Sequence, residues 1–410
     1  MMQLGMTVTP LRRWIVAEFF SSAGDQFLIV TLAFLAAQKG AAQAGFVLAS
    51  GAAASAVAAV VAGAVVDHIG YRHAMLVADL GRGLSLVLTA VIWRSYPPDA
   101  LALSATAAIV GILGAFYEPG AIALGPTLAP TDSLSTLHAS RSTSLRGGML
   151  LGALAAGACI SHLPAWAMLL VDGGTFGITA LAVWSLPKMS EREDTQDRPT
   201  SFQMSSIAEG YRYIGRHRVL WASLGTLALL EFGATGAVNI GIPTLVTQRA
   251  WSASVIANGL AAFGLGALVG PLLSLAIRRT DGRRSAAAIV VISAIGVATL
   301  SVPTGAAWVL TVLFTTGLAA SGAANVVVPA MQASCTPRFL GRMGSALSLT
   351  LEGVTPASML VAGLVAQLAG LAHMFFLSAL MCAISALLIV GITSRRNVQH
   401  LLRNTSCASE

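Results

Sequence analysis

The chain has 410 residues, of which 56% are hydrophobic and 10% are charged, whereas a soluble domain carries about 25% charged residues. Its mean hydropathy is +0.77. Apolar runs of about 20 residues, long enough to cross the hydrocarbon core as helices, cover nearly the whole sequence. The composition therefore excludes a soluble globular domain and predicts an all-α polytopic membrane protein.

A net charge of +7 could indicate a nucleic-acid partner. The basic residues lie instead in short gaps between apolar runs, as membrane topology requires, so we expect no nucleic acid. The four cysteines form no close pair and show no metal-ligand spacing. We therefore expect no cofactor and no metal.

Twelve apolar spans are predicted in chain order, with turn residues such as proline and glycine in the breaks. Their approximate bounds are 13–37, 42–66, 74–94, 101–125, 140–161, 164–186, 219–246, 252–277, 285–303, 306–332, 343–369 and 371–393.

Basic residues orient these spans. The odd-numbered gaps hold only Lys39, Arg94 and Arg249, while the even-numbered gaps and the two ends hold many arginines. The positive-inside rule then places both termini in the cytoplasm. We expect a six-helix bundle at 1–187, a cytoplasmic linker at 188–218 with a short amphipathic helix on the inner leaflet, and a second six-helix bundle with a cytoplasmic tail at 219–410.

The joint between spans two and three, residues 63–72, combines a carboxylate, a turn glycine and an arginine between two membrane-length segments. Such a polar joint is typical of a transporter that holds its halves in alternative arrangements. The gap at 279–284 repeats the Gly and Arg spacing but carries Arg279 in place of the carboxylate. Paired repeats of this kind are common in secondary transporters, and they predict two pseudo-symmetric halves.

The joint resembles the signature Gly-x-Leu-Ala-Asp-Arg-x-Gly-Arg-Lys of the major facilitator superfamily. Gly63, Asp67, Gly70 and the basic Arg72 match it. The departures are Val65, Val66, His68 and Tyr71. Within the superfamily, the chain is most similar to the group that contains enterobactin exporters and macrolide efflux proteins. The short patterns that carry this similarity lie at 24–25, 79–82, 115–119, 170–176 and 332–342.

Gly148, Gly152 and Gly157 keep the glycine spacing of the span-five motif of drug/proton antiporters, but Ala153 replaces its proline. Gly266 and Gly270 form a similar pair in span eight. Small residues every fourth position let helices approach closely. Because the resemblance implies that spans five and eight face each other, we expect these glycines to serve helix packing.

Ionisable residues within apolar spans are costly and usually functional. Glu18 and Asp25 are seven residues apart, so they share one face of span one; Glu118 lies in span four and Glu231 in span seven. The resemblance implies that spans one, four, seven and ten line a central cavity. These four carboxylates are therefore candidates for proton coupling or substrate binding, with Arg146 in span five as a counter-ion.

Other intramembrane charges are assigned supporting roles. Asp79 and Arg82 are three residues apart and are predicted to form a structural pair. Glu352 in span eleven is predicted to act with Gly63, Asp67, Gly70 and Arg72 in gating. Asp172, near the start of span six, is assigned to packing or capping.

The sequence thus predicts a secondary transporter of the bacterial cytoplasmic membrane that exports a drug, an antibiotic or a siderophore-like metabolite, by proton antiport. A proton-coupled importer or facilitator of a nutrient remains the alternative. A membrane enzyme or sensor is disfavoured because no catalytic set or phosphate-binding loop is found. The expected partners are the small-molecule substrate, protons and membrane lipids, and we expect a functional monomer.

The resemblance implies that Asp67 approaches the positive end of a helix in the other half when the cytoplasmic side is closed, and that Arg72 pairs there with a carboxylate. Helix N-termini favour anions by about 1 kcal/mol, so Asp67→Asn should lower transport about fivefold without abolishing substrate binding. Transport and binding assays at equal protein level check this. Unchanged transport would contradict the gating role.

Overall fold

The computed structural model describes residues 2–128, 134–160, 162–186, 204–277, 282–302, 305–336 and 339–392. Within these ranges the regular structure is helical and contains no strand. Apolar segments in hydrocarbon must satisfy their backbone hydrogen bonds internally, and a helix does so within one segment. The all-helical class expected from composition is therefore observed.

The first helices cover the predicted spans one to six. They are α1 (Met2–Lys39), α2 (Ala41–Ile69), α3 (Tyr71–Ser95), α4 (Ala100–Ala115), α5 (Tyr117–Leu128), α6 (Leu134–Cys159) and α7 (Ala165–Trp184). The fourth span is two helices because Pro119 lacks an N–H and its ring clashes with the carbonyl four residues earlier. That carbonyl belongs to Ala115, where α4 ends.

The remaining helices begin with α8 (Met204–Arg216), which falls in the predicted linker. They continue with α9 (Arg218–Gly236), the π-helix π1 (Ala237–Gly241), α10 (Ile242–Gln248), α11 (Ser254–Ile277), α12 (Gly282–Thr299), α13 (Ala306–Ala333), α14 (Leu340–Leu368) and α15 (Leu371–Ile392). The seventh predicted span is therefore not uniform, because π1 interrupts its α-helical hydrogen bonding.

Ten segments of the described chain are long and apolar enough to cross a membrane. The two other predicted spans correspond to α6 and α12. Neither is among those ten; the apolar part of α12 is the shorter stretch Arg284–Thr299. The structure thus supports a multi-pass membrane protein with ten spans by length and composition.

The chain divides into two compact units. Unit 1 comprises residues 1–39, 46–202 and 246–261, and unit 2 comprises 40–45, 203–245 and 262–410. In unit 1, α1 packs against α6 and α7, and α7 packs against α3. In unit 2, α9 packs against α14 and α15, and α15 packs against α12. By the predicted span order, each unit pairs its first span with its fifth and sixth, and its sixth with its third.

Small residues make these pairings close. A Cβ added at Gly148 or Gly152 would overlap the α1 backbone at Phe19 or Ala23. A Cβ at Gly266 or Gly270 would overlap atoms of α13. These four glycines pack on α1 and α13.

The fifth glycine of that set has a different neighbour. A Cβ at Gly157 would lie 2.6 Å from the Cβ of Ala257, in the part of α11 that belongs to unit 1. Gly157 is therefore the one member of the five that meets span eight.

The linker helix α8 packs against other helices of unit 2. Ile214 is fully buried in a cluster with Leu220, Met331 and Met343. The Tyr211 hydroxyl donates to the Ala346 carbonyl of α14 at 3.1 Å. The apolar side of α8 thus packs on α14, which offers both apolar surface and a hydrogen-bond acceptor. Its position on the inner leaflet stays a prediction.

The polar joint turns at Gly70, whose φ of 84° lies in the left-handed region that glycine adopts without strain. Arg72 donates from Nη2 to the carbonyl oxygen of Trp184, at the end of α7, at 2.5 Å. A helix C-terminal carbonyl attracts cations; the pairing of Arg72 with a carboxylate when the cytoplasmic side is closed stays a prediction. A Cβ at Gly63 would meet no atom within 4 Å among the described residues. The side chain of Asp67 lies outside the described part.

Gly266→Ala should lower the free energy of unfolding by about 1–3 kcal/mol, because the added Cβ would overlap the carbonyl oxygen of Phe314. Gly264→Ala in the same helix is the matched control. A Cβ there meets no described atom within 4 Å, so that change should be neutral or stabilising by up to about 1 kcal/mol. Thermal unfolding of the purified protein in detergent compares them. Equal effects of the two substitutions would contradict the packing role.

Candidate functional site

One arginine joins two carboxylates in unit 1. Arg141 on α6 donates from Nε to Glu18 Oε2 on α1 at 2.9 Å. Its Nη1 and Nη2 donate to the two carboxylate oxygens of Glu118 on α5 at 2.8 and 2.7 Å. The Glu18 side chain is 1% exposed and that of Glu118 is 56% exposed. The guanidinium thus ties a buried charge to an accessible one, with the two-point geometry that arginine gives carboxylates.

Arg141, which was not predicted as a counter-ion, pairs with both carboxylates, while the counter-ion role of Arg146 stays a prediction. Arg146 is exposed and its Nε donates to Ser142 at 3.4 Å. The missed signal was helical phase. Arg141 lies seven and eleven residues before Gly148 and Gly152, so it shares the face of α6 that packs on α1. Arg146 does not share that face.

Three further carboxylates surround Arg82 in the interior of unit 1. Arg82 forms an ion pair with Asp79 on the same helix, as the spacing predicts. Its guanidinium carbon also lies 4.0 Å from the ring centre of Phe176 on α7. Asp25 on α1 and Asp172 on α7 interact electrostatically with the same guanidinium. Asp25 is partly buried, and Asp172 is completely buried.

In unit 2 the main intramembrane carboxylate accepts hydrogen bonds from hydroxyls. Glu231 on α9 accepts from Thr235 Oγ1 at 2.6 Å and from Thr355 Oγ1 of α14 at 3.4 Å. One turn later, Asn239 in π1 donates to the Thr235 carbonyl at 3.1 Å. A π-turn frequently marks a functional site. Thr235, Asn239 and Thr355 were not identified from the sequence, although the four-residue spacing of Glu231, Thr235 and Asn239 indicates a shared helix face.

The predicted gating residue Glu352 is exposed on α14, one turn before Thr355. Glu352 belongs to unit 2 and the polar joint at 63–72 to unit 1, and their shared gating role stays a prediction. Within the described ranges, no group of three or more His, Cys, Asp or Glu side chains is arranged to hold a metal ion.

Charged side chains at membrane depth that pair with each other, one of them reachable by solvent, are typical of transport proteins. Together with ten apolar spans, they define a multi-pass membrane transporter. The sequence profile described as Major Facilitator Superfamily matches residues 14–355. The chain belongs to this family, and it is a transporter rather than an enzyme.

A curated relative is the multidrug efflux pump Tap of Mycolicibacterium fortuitum. It is 25% identical over 383 residues, which cover 90% of this chain and 92% of the relative. A solved structure of the nucleoside transporter NupG, a D323A mutant, matches with a TM-score of 0.71 and 12% identity over 95% of this chain and 100% of that one. A D-xylose-proton symporter matches with a TM-score of 0.64 and 15% identity over 94% and 97%. At these identities the two structures establish the fold alone.

Arg141→Gln should lower the free energy of unfolding by about 3–5 kcal/mol, because it leaves Glu18 charged and buried without a cationic partner. Arg146→Gln, on the same helix but exposed, should change it by less than about 0.5 kcal/mol. Adding Glu18→Gln to Arg141→Gln should recover most of the loss. Thermal unfolding in detergent measures all three variants; equal losses for the two arginines would contradict the assignment.

Proposed function

We propose that this protein exports a small organic molecule from the cytoplasm by alternating access, driven by the antiport of protons. In this proposal the protein lies in the inner membrane of a bacterial cell and has twelve spans, counting α6 and α12. Both termini are in the cytoplasm. The two halves are residues 1–187 and 219–410, joined by the linker at 188–218, and the monomer is the functional unit.

The observation that carries the proposal is the accessible carboxylate of Glu118. It lies in a membrane span, yet its side chain is 56% exposed and is held by Arg141. A carboxylate at that depth is tolerated where it faces a water-filled cavity. Such a group attracts a cationic or hydrogen-bonding substrate. A proton and a substrate would each compete with Arg141 for the same Glu118 carboxylate.

Glu231 supports the same proposal from unit 2. It retains partial exposure and uses one oxygen, Oε1, for both of its hydroxyl donors. The second oxygen is thus available for a substrate or a proton. We therefore assign proton coupling or substrate binding to Glu18, Asp25, Glu118 and Glu231, with Arg141 as the counter-ion.

Similarity to a multidrug efflux pump over nine-tenths of the chain supports export. It also supports a drug-like cargo, with an antibiotic or a siderophore-like metabolite as narrower possibilities. The sequence resemblance to enterobactin exporters and macrolide efflux proteins favours those two. Import is the second candidate, because a proton symporter shares the fold, and a fold by itself does not determine direction.

Transport of fluorescent organic cations, beginning with ethidium, tests the direction. Cells that express the protein should accumulate less dye than cells with empty vector, and a proton uncoupler should remove the difference. Glu231→Gln at equal expression should abolish the effect, because its neutral amide keeps the size but loses the charge. Higher accumulation that the uncoupler abolishes would support import. No difference across the panel would contradict export of this cargo class.

A further inference from the structure

Helices α1, α3 and α7 of unit 1 cross closely around two ionisable side chains, Arg82 and Asp172. At Gly24 on α1, an added Cβ would lie 2.7 Å from Asp172 Oδ1 of α7 and would overlap Thr175. At Gly83 on α3, an added Cβ would lie 3.1 Å from the Gly173 carbonyl oxygen. The backbones therefore touch beside Arg82 and Asp172, and both side chains are confined between the helices.

Three polar atoms in this crossing are left without a hydrogen-bond partner among the described residues: Asp79 Oδ2, Arg82 Nε and Asp172 Oδ2. Two of them, on different helices, are complementary. One is Asp172 Oδ2, on a side chain with no exposed surface; the other is Arg82 Nε, on a side chain that is about nine-tenths buried. Phe176, against which the guanidinium lies, is one turn from Asp172 on the same face of α7. An acceptor and a charged donor thus lie in one closed space without bonding each other.

The remaining contacts of Asp172 do not neutralise a charge. Thr175 Oγ1 approaches Asp172 Oδ1 at 3.5 Å but lies closer, at 2.7 Å, to the Asp172 backbone carbonyl. The ionisable groups that face it from the packed helices are Asp25 on α1 and Arg82 on α3. Asp25 repels an ionised Asp172, and Arg82 is already paired with Asp79. An ionised, unpaired carboxylate in this space would be strongly disfavoured.

Unit 2 shows that the helix arrangement does not require these charges. There α9, α12 and α15 meet in the same pattern and are filled by Leu230, Val290, Ala294 and Cys382. Gly233 on α9 meets Ser378 and Cys382 of α15, as Gly24 meets Asp172 and Thr175. The same scaffold is thus built with neutral residues, so the acid in unit 1 is not a requirement of packing.

We propose that Asp172 is the carboxyl of unit 1 that binds and releases a proton, with Arg82 Nε as the donor that holds its ionised form. This inference rests on the proposed proton antiport and names a carrier within it. In the state described here Asp172 is the neutral acid, and Arg82 serves Asp79 alone.

Release of the proton allows Arg82 Nε to donate a hydrogen bond to the ionised Asp172. The O–H bond of Asp172 breaks, its electron pair stays on the carboxylate, and the proton passes to water by way of the partly exposed Asp25. Arg82 then spans both carboxylates, through Nε to Asp172 and through Nη2 to Asp79. Arg141 already bridges two carboxylates in this way. One proton is bound or released, and the guanidinium stays charged throughout.

The test uses the purified full chain in proteoliposomes and compares the wild type with Asp172→Asn, Asp172→Ser and a matched control, Asp99→Asn. Asp99 is exposed and caps α4 by accepting from the Ala102 N–H at 2.7 Å. Asparagine caps a helix equally well, so the control makes the same chemical change outside the crossing. Asp172→Ser places a hydroxyl there, as Ser378 does in unit 2, and it serves if the asparagine variant folds poorly.

Infrared difference spectra between acid and alkaline buffer provide a readout without substrate. The wild type and Asp99→Asn should show a C=O stretching band of a protonated carboxyl that disappears on deprotonation. Asp172→Asn and Asp172→Ser should lose that band. A band that persists in a folded Asp172 variant would overturn the proposal, because that is the result expected if Asp172 has a purely structural role.

Ethidium flux separates this inference from the proposed function. Asp172→Asn should lose uphill efflux driven by a pH gradient and keep downhill efflux. If it pumps uphill like the wild type, the proton assignment is overturned while export stands. If the wild type shows the Asp172 band but its ethidium flux ignores the pH gradient, the proton site stands and the proposed antiport of this cation fails.

Discussion

The constraint on which unit 1 depends is the cost of holding charge in an apolar interior. A buried ion is tolerated when an opposite charge and hydrogen bonds replace the water it lost. Arg141 meets this demand for Glu18 by linking it to Glu118, and Arg82 meets it for Asp79. These contacts need helices that approach closely, which the glycines of α1, α3 and α6 permit. Small residues and buried charges are therefore two parts of one arrangement.

The two units use one helix arrangement for different chemistry. In unit 1, ion pairs connect α1 with α5 and α6, and a charged crossing joins α1, α3 and α7. In unit 2, the corresponding crossing is apolar and the main carboxylate, Glu231, is held by threonine hydroxyls. The asymmetry matches the polar loops, since the joint at 63–72 carries Asp67 while its counterpart carries Arg279. Among the described residues, the ion pairs between side chains lie in unit 1.

Much of the fold follows from local sequence properties, because length and hydropathy determine where helices cross a membrane. The break at Phe116 and the Asp79–Arg82 pair follow likewise from Pro119 and from three-residue spacing. The partners of Glu18 and Glu231 could not be predicted in this way. They lie on other helices, and one sequence does not encode which face of α6 or α14 meets them. Helical phase relative to Gly148 and Gly152 would have selected Arg141 as the partner of Glu18. No such phase pattern in the sequence indicates which side chains lie beside Asp172.

The π-turn at Ala237–Gly241 has a consequence for the seventh span as a whole. A π-turn holds one residue more than an α-turn, and each residue of an α-helix advances the face by about 100°. Everything beyond π1, including α10, is thus rotated relative to the face that carries Glu231 and Thr235. If the π-turn formed at a different position in the span, the helix on one side of it would rotate about its axis relative to the helix on the other side, and both would stay helical. The π-turn thus sets which residues of α10 share a face with the carboxylate of Glu231.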